Sequence, residues 1–392
     1  FMAAVLSADM QHTDKVVINI KESREMGLTI LPPDINRGEY RFVADGDDAI
    51  IYGLGAIKGL GEGAIESIVQ SRKQDGRFSD LYDLCERVDS RKLNKRGIEA
   101  LIGCGALDQL VTCGEDSIDY KRALLAAHQD DAVRMAEQKA RNVDSGHGDL
   151  FGDDMMLSGS ADSDSRYNHF ENLRSLTFRD RLHREKETLG LYLTGHPLDM
   201  YSAELEHLAK TRIIDLRVGK DEQTVVGLIV SMRTMKSRRG ETLAFVTLDD
   251  RTDRIEVAVF AELYNTHYEK LQKDQVVVVK GSTSVDDFTG GIKMQATEVY
   301  NLIEARGRSV RRLTLSLESE ALRDDFTGEL ASLLMPYKGA NGQGCPVSID
   351  YCRADARAQV VLGDEWRVLP EDELIQSLRD HYGNDHVRLD YT

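Results

Sequence analysis

The sequence predicts a multidomain α+β chain: a largely helical N-terminal part, a central five-stranded β-barrel and a small α+β domain at the end. Three observations carry this expectation. At 392 residues the chain exceeds the size at which one hydrophobic core keeps growing, so several domains are expected. The apolar period is helical over most of the chain up to Leu193, changes to two between Thr224 and Leu302, and alternates between strand and helix from Arg311 onward. A Gly/Ser/Asp-rich stretch interrupts the helical regime before its last helix.

The elements follow in chain order. Helical periodicity runs from about Val16 to Met26 and is stopped by Gly27, Pro32 and Pro33. "YRFVADGDDAIIYG" reads as two short strands about an Asp-Gly turn, a hairpin. Helical patterns then dominate from about Gly59 to Arg141. Ser145 to Ser165 carries five Asp and no Lys or Arg, a composition too polar to order itself. Leu150 and Phe151 stand out in this tether; they either pack back on a neighbouring domain or serve as bait for another protein. An amphipathic helix is predicted from about Phe178 to Leu193. "TVVGLIVSMRTM", "ETLAFVTLDD", "RIEVAVF", "QVVVVKGSTSV" and "GIKMQATEVYNL" supply five strands, with the helix "AELYNTHYEKLQ" between the third and fourth. That helix placement favours an OB-fold over other small barrels. The tail reads as strand "RLTLSL", helix from about Ala321 to Leu334, strands "CPVSIDY", "RAQVVLG" and "WRVL", helix from about Glu371 to Tyr382, and strand "VRLDY". The expected result is a small α+β sandwich of ferredoxin-like type.

Composition narrows the function classes. A formal charge of −17 argues against a protein that coats nucleic acid over its whole surface, though one basic patch can coexist with an acidic total. Cys85, Cys104, Cys113, Cys345 and Cys352 form no C-x-x-C pair, so neither a zinc site nor a disulfide framework is indicated, and reduced thiols in a cytoplasmic protein are expected. No apolar run approaches a membrane span, and "FMAAVLSADM" lacks the features of a signal peptide. The opening on Phe1 suggests a piece of a longer chain.

Two stretches have the chemistry of nucleic-acid contact. "IKGLGEGAIESIV", Ile57 to Val69, has the shape of a helix-hairpin-helix motif. Gly59 and Gly61 would permit positive φ and a close backbone approach, and the following helix would aim its free N–H groups at a phosphate. Lys58, Leu60 and Gly63 complete the turn, and Arg72 and Lys73 follow it. Residues 72 to 96 hold eight basic and five acidic side chains. An ordinary Gly-rich helix connection is the alternative; Ala64, Ile65 and Ile68 after the Gly-x-Gly favour the DNA reading. In the barrel, the loop after the first strand contains Arg233, Lys236, Arg238 and Arg239 with no acid before Glu241, suiting a single-strand groove. Phe245, Phe260 and Phe288 could stack bases, but one aromatic per strand is ordinary core composition, so they are expected in the barrel core.

No self-sufficient active site is evident. Asp45 and Asp47 have D-x-D spacing but lie in a hairpin turn, and Asp162 and Asp164 lie in the tether, so neither pair has the rigid support that metal-ion catalysis needs. "GLGEGA" lacks the Lys-Ser/Thr of a phosphate-binding P-loop, and neither H-E-x-x-H nor G-x-S-x-G occurs.

"MGLTILPPDIN", "YGLGAIKGLGEGAIESIV", "KETLGLYLTGHPL", "LDDRTDRIEVAVF" and "FTGGIKMQA" together resemble the C-terminal portion of the catalytic alpha subunit of bacterial DNA polymerase III, collinearly over essentially the whole chain. The resemblance implies a layout: the end of the fingers domain (1–38), a helix-hairpin-helix domain for duplex DNA and the clamp (39–143), an acidic tether with a clamp-binding peptide (144–175), a helical connector (176–222), the OB-fold (223–304), and a C-terminal domain that docks the tau subunit of the clamp loader (310–392). It implies a DNA-directed DNA polymerase as the full-length protein, with two divalent metal ions, magnesium in kind, in a palm upstream of Phe1. This segment would then be inactive alone and carry no cofactor. The implied partners are the sliding clamp, tau, primer–template DNA and single-stranded template. The family's clamp peptide, a Gln, a spacer, Asp or Ser, an aliphatic residue and Phe, falls on His147, Gly148, Asp149, Leu150 and Phe151, with His147 departing from Gln. The competing expectation is a stand-alone accessory protein built from the same two modules.

Overall fold

The computed structural model describes residues 1–112, 117–144, 167, 173–237, 240–286, 290–318, 325–339, 343–353 and 356–391. They form two compact units, Phe1–His196 and Pro197–Thr392. The division falls inside the stretch 176–222.

The first unit opens with α1 (Met2–Ala8) and α2 (Thr13–Glu25). Gly27 then takes a left-handed φ of 84° and ends the helical run. β1 (Thr29–Leu31), β2 (Val43–Asp45) and β3 (Ala49–Ile51) make a three-stranded sheet in the order β1-β3-β2. β2 and β3 are the expected antiparallel hairpin, turning at Gly46. β1 joins it in parallel, a pairing that a three-residue strand does not announce. The helices α3 (Glu62–Asp75), α4 (Leu81–Arg87), α5 (Lys95–Cys104), α6 (Ile118–Asp144) and α7 (Phe178–Leu189) follow. One continuous core unites them, with Leu54, Ile65, Ile68, Leu81, Leu84 and Leu101 all but inaccessible to solvent.

A buried ion network fixes α7 to this core. Arg122 of α6 has no exposed side-chain surface. It donates from Nε and Nη2 to Asp108 (3.1 and 2.9 Å) and from Nη1 to Glu185 Oε1 of α7 (2.9 Å). Glu185 also accepts from the Leu193 and Thr194 amides at 2.9 and 3.1 Å and from Thr194 Oγ1 at 2.6 Å. Two carboxylates and several donors around one guanidinium satisfy charges that would otherwise be too costly to bury.

The second unit begins with α8 (Ser202–Leu208) and contains a closed barrel of β4 (Gly219–Lys236), β5 (Thr242–Asp249), β6 (Arg254–Val259), β7 (Val276–Val285) and β8 (Ile292–Asn301) in the order β4-β5-β6-β8-β7. β4 is long enough to pair with both β5 and β7 and so close the barrel. α9 (Ala261–His267) lies between β6 and β7 in sequence, as expected for an OB-fold. Gly281 sits where β7 crosses β8 so closely that a Cβ would meet the Gln295 carbonyl oxygen. Ala244, Val246, Leu248, Val257, Val279 and Val299 point inward into the core.

α10 (Leu302–Ser309), started by a capping box of Asn301 and Glu304, leads into the last sheet. β9 (Val310–Glu318), α11 (Phe326–Leu334), β10 (Val347–Cys352), β11 (Arg357–Val361), α12 (Asp372–Tyr382) and β12 (Val387–Tyr391) form a small α+β domain of strand order β11-β10-β9-β12. The ferredoxin-like expectation fails here. That topology inserts the third strand between the first two, whereas β9 and β10 pair directly in parallel. "WRVL" is not a strand either: a 3-10 turn covers Asp364–Trp366, and Val368 makes only isolated bridges to Lys338 and Cys345.

Candidate nucleic-acid interface

The glycine turn lies between a 3-10 turn at Leu54–Ala56 and α3. Gly59 has φ +87°, a conformation that L side chains rarely adopt, so the fold itself requires glycine there. Gly61 differs from the sequence expectation. Its φ of −79° and ψ of 152° are open to any residue; it is the N-cap of α3 and offers no side chain to cap it. A Cβ at Gly61 or Gly63 would meet nothing within 4 Å. The start of this 14-residue helix thus has no side-chain cap and no crowding beside its first glycines, and an uncapped helix start attracts an anion.

The turn is braced from behind. Leu60 is buried, and a Cβ on Gly97 would lie 3.6 Å from its Cδ1; one on Gly59 would lie 3.8 Å from Ala100 Cβ. Both neighbours belong to α5, whose start is capped by Asn94 accepting from the Gly97 amide at 2.9 Å. The Lys58 amide donates to the Thr188 carbonyl of α7 at 2.8 Å. Two helix starts, α3 and α5, are thus held side by side, with the exposed side chains of Lys58, Lys92, Lys95 and Arg96 around them. Lys95 shares its charge with Asp130 at 2.6 Å, an exposed pair that salt screens.

Not every basic residue of this region faces solvent. Arg72 is a structural residue: it donates to the Ile35 and Gly38 carbonyls, both at 2.8 Å, and to Glu39 at 2.9 Å. Arg87 likewise binds the Ser71 and Gly76 carbonyls and covers the Phe78 ring. Lys73 is exposed, yet it and Arg72 occupy the last turn of α3, about 17 Å along the axis from the glycine turn. These positions separate Arg72 and Lys73 from Lys58, Gly59, Leu60, Gly61 and Gly63.

On the barrel, Arg233 and Lys236 are both exposed, Lys236 at the end of β4 opposite Thr242. Arg233 is paired with Glu256 Oε2 at 2.9 Å, and its guanidinium carbon lies 4.6 Å from the Phe245 ring centroid. Arg238, Arg239 and Phe288 lie outside the described residues, as do His147, Gly148, Asp149, Leu150 and Phe151. Phe245 and Phe260 are not in the barrel core as expected: Phe245 is half-buried and Phe260 is 48% exposed. The alternation of β5 contained this signal, since inward Ala244 and Val246 force Phe245 outward. A cleft of about 610 Å³ opens on this face, lined by Arg233, Arg254 and Lys293 and also by Asp253, Glu256 and Asp286. Arg254 is paired with Asp249 at 2.7 Å and Lys293 with Asp286 at 3.3 Å. The cleft is therefore close to charge balance, unlike the basic groove expected from the loop sequence.

The D-x-D pair does not suit a metal, because Arg37 holds Asp45 at 2.6 Å. Among the described residues, no group of three or more His, Cys, Asp or Glu could hold a metal ion, and no helix is long and apolar enough to cross a membrane.

An uncapped helix start beside a glycine turn in one unit and a closed OB barrel in the other define a nucleic-acid-binding class of chain. The comparisons agree at both places: the helix-hairpin-helix motif family matches residues 27–115, and the OB-fold nucleic acid binding domain family matches residues 223–302. Residues 329–383 match the family described as DNA polymerase III subunit alpha, C-terminal domain. The chain is 46% identical over 398 residues to the DNA polymerase III subunit alpha of Pseudomonas aeruginosa, covering 100% of this chain and 33% of that protein. The corresponding subunit of Escherichia coli strain K12 is 40% identical over 394 residues, again covering 100% and 33%. That of Vibrio cholerae is 42% identical over 393 residues, covering 100% and 32%. The chain spans about a third of the length of these relatives, and it belongs to the DNA polymerase III alpha-subunit family, matching the C-terminal region.

Proposed function

We propose that this chain is the part of a replicative DNA polymerase that grips DNA and tethers the enzyme to its accessory factors. The helix starts at Gly61 and Asn94 hold the phosphates of the primer–template duplex without reading bases, and the barrel follows the single-stranded template. His147–Phe151 docks on the sliding clamp, and the last domain docks on the clamp-loader tau subunit. Nucleotide addition is proposed for the longer protein as a DNA-directed DNA polymerase.

The observation that carries this reading is the open, uncapped start of α3 beside a glycine that only the fold's turn demands. Burial of Leu150 and Phe151 would supply roughly 1.5–3 kcal/mol each, so the peptide alone binds weakly. Linked to a DNA grip, it acts at high effective concentration and releases readily.

The test is anisotropy with three labelled probes: a duplex, a single strand, and a primer–template with a single-stranded overhang. The primer–template should bind more tightly than either simple probe. Equal affinity for all three would refute the division of labour between the two modules.

A further inference from the structure

We propose that Arg233 serves the barrel as a base-stacking platform rather than as a phosphate contact, with Phe245 as its support and Glu256 as its clamp. The inference rests on the proposed single-strand role of the barrel and adds the chemical group recognised: the face of a base.

The placement is set by strand register. Arg233 of β4 is directly opposite Phe245 of β5, and Phe245 is opposite Ala258 of β6, two residues beyond Glu256 on the same outer face. To reach Glu256 the Arg233 side chain crosses β5, and in doing so it lies over the Phe245 ring, 4.6 Å from its centroid. Its Nη2 donates to Glu256 at 2.9 Å, yet 63% of the side chain remains exposed. One side of the guanidinium thus rests on an aromatic ring, one edge is tied to a carboxylate, and solvent reaches the remainder.

This geometry decides between two uses of an arginine. A phosphate-binding arginine offers unpaired N–H groups and uncompensated charge. Arg233 already gives one edge to Glu256, whose charge offsets its own. With its charge offset and one side resting on Phe245, the solvent-facing guanidinium plane is the surface Arg233 offers for stacking, and guanidinium planes stack on nucleobases as well as on aromatic rings. Glu256 lines the same cleft as Arg233. Such a site tolerates any base, since every base has a π face, and adds affinity without reading sequence.

The decisive variant is Arg233→Lys in the full chain, because it keeps the charge and removes the plane. The probes are a dT15 strand and the same strand with abasic positions, measured over a range of salt. A platform predicts about a tenfold loss of dT15 affinity in Arg233→Lys with the salt slope unchanged, and little difference between wild type and variant on the abasic strand. Phe245→Leu should show the same pattern, and thermal midpoints of both variants should match wild type because both side chains lie on the outer face. Wild-type dT15 affinity in Arg233→Lys would overturn the platform and leave a point-charge contact. If the wild type binds no single strand, the reading of the barrel fails first and the platform falls with it.

Discussion

Replacing Gly61 by Val separates DNA contact from folding, and the contrast with Gly59 shows why. At Gly59 the left-handed φ of +87° would cost a side chain roughly 1–2 kcal/mol, so a binding loss there could arise from a distorted turn. At Gly61 the backbone is extended and a Cβ enters empty space. Only the weaker N-cap preference of Val opposes the change, about 1 kcal/mol, or a shift of about 2–4 °C in thermal midpoint for a unit of this size. The cost to DNA binding should be larger. A charge-assisted bond from a helix-start amide to phosphate contributes about 1.5–3 kcal/mol, so displacing the phosphate by an isopropyl group should weaken duplex binding about 10- to 150-fold. Fluorescence anisotropy with a labelled duplex at low salt measures this, alongside a melting curve. Unchanged duplex affinity in a folded Gly61→Val protein would remove the helix start from the interface.

Three further outcomes are expected. Leu150→Ala with Phe151→Ala should abolish binding to purified sliding clamp while leaving duplex affinity unchanged; a drop in both would mean the tether touches DNA as well. Glu185→Ala should destabilise the first unit by about 3–5 kcal/mol, as it leaves part of the buried Arg122 charge uncompensated, and urea unfolding that shows no shift would contradict the network. Burial pushes the thiols of Cys85 and Cys104 up to about 12 and that of Cys345 to about 11. They should resist maleimide in the native protein near pH 8, whereas the partly exposed Cys352 reacts. Because the folded values are raised, the stability these thiols contribute is complete below the unfolded value of about 8.5 and declines as pH rises above it. Rapid labelling of Cys104 in the folded chain would contradict its burial.

What could be read from sequence was what local patterns encode. The five barrel strands and the helix between the third and fourth were legible because a period of two over several residues admits few alternatives, and the Asp-Gly hairpin was legible from its turn. Pairing between distant segments was not. Nothing in "TIL" announces its parallel partner at Ala49–Ile51, and nothing in the last six segments says that β9 and β10 lie side by side. Charge was the least legible quantity. Arg72 and Lys58 look alike in a basic count, but Arg72 turns inward onto the carbonyls of Ile35 and Gly38. Arg122 sits in an ordinary helical run, and its burial becomes evident only when Asp108 and Glu185 converge on it. Phe245 was legible in principle, since its neighbours Ala244 and Val246 occupy the inward register.

The central claim, that this region grips duplex DNA through phosphates rather than bases, is tested most directly by the salt dependence of duplex binding to the full chain across unrelated sequences. The account predicts a log–log plot that falls linearly, at about −0.9 per phosphate neutralised, with the same slope for every sequence. A flat salt response, or affinity that changes strongly with sequence at one salt concentration, would contradict it.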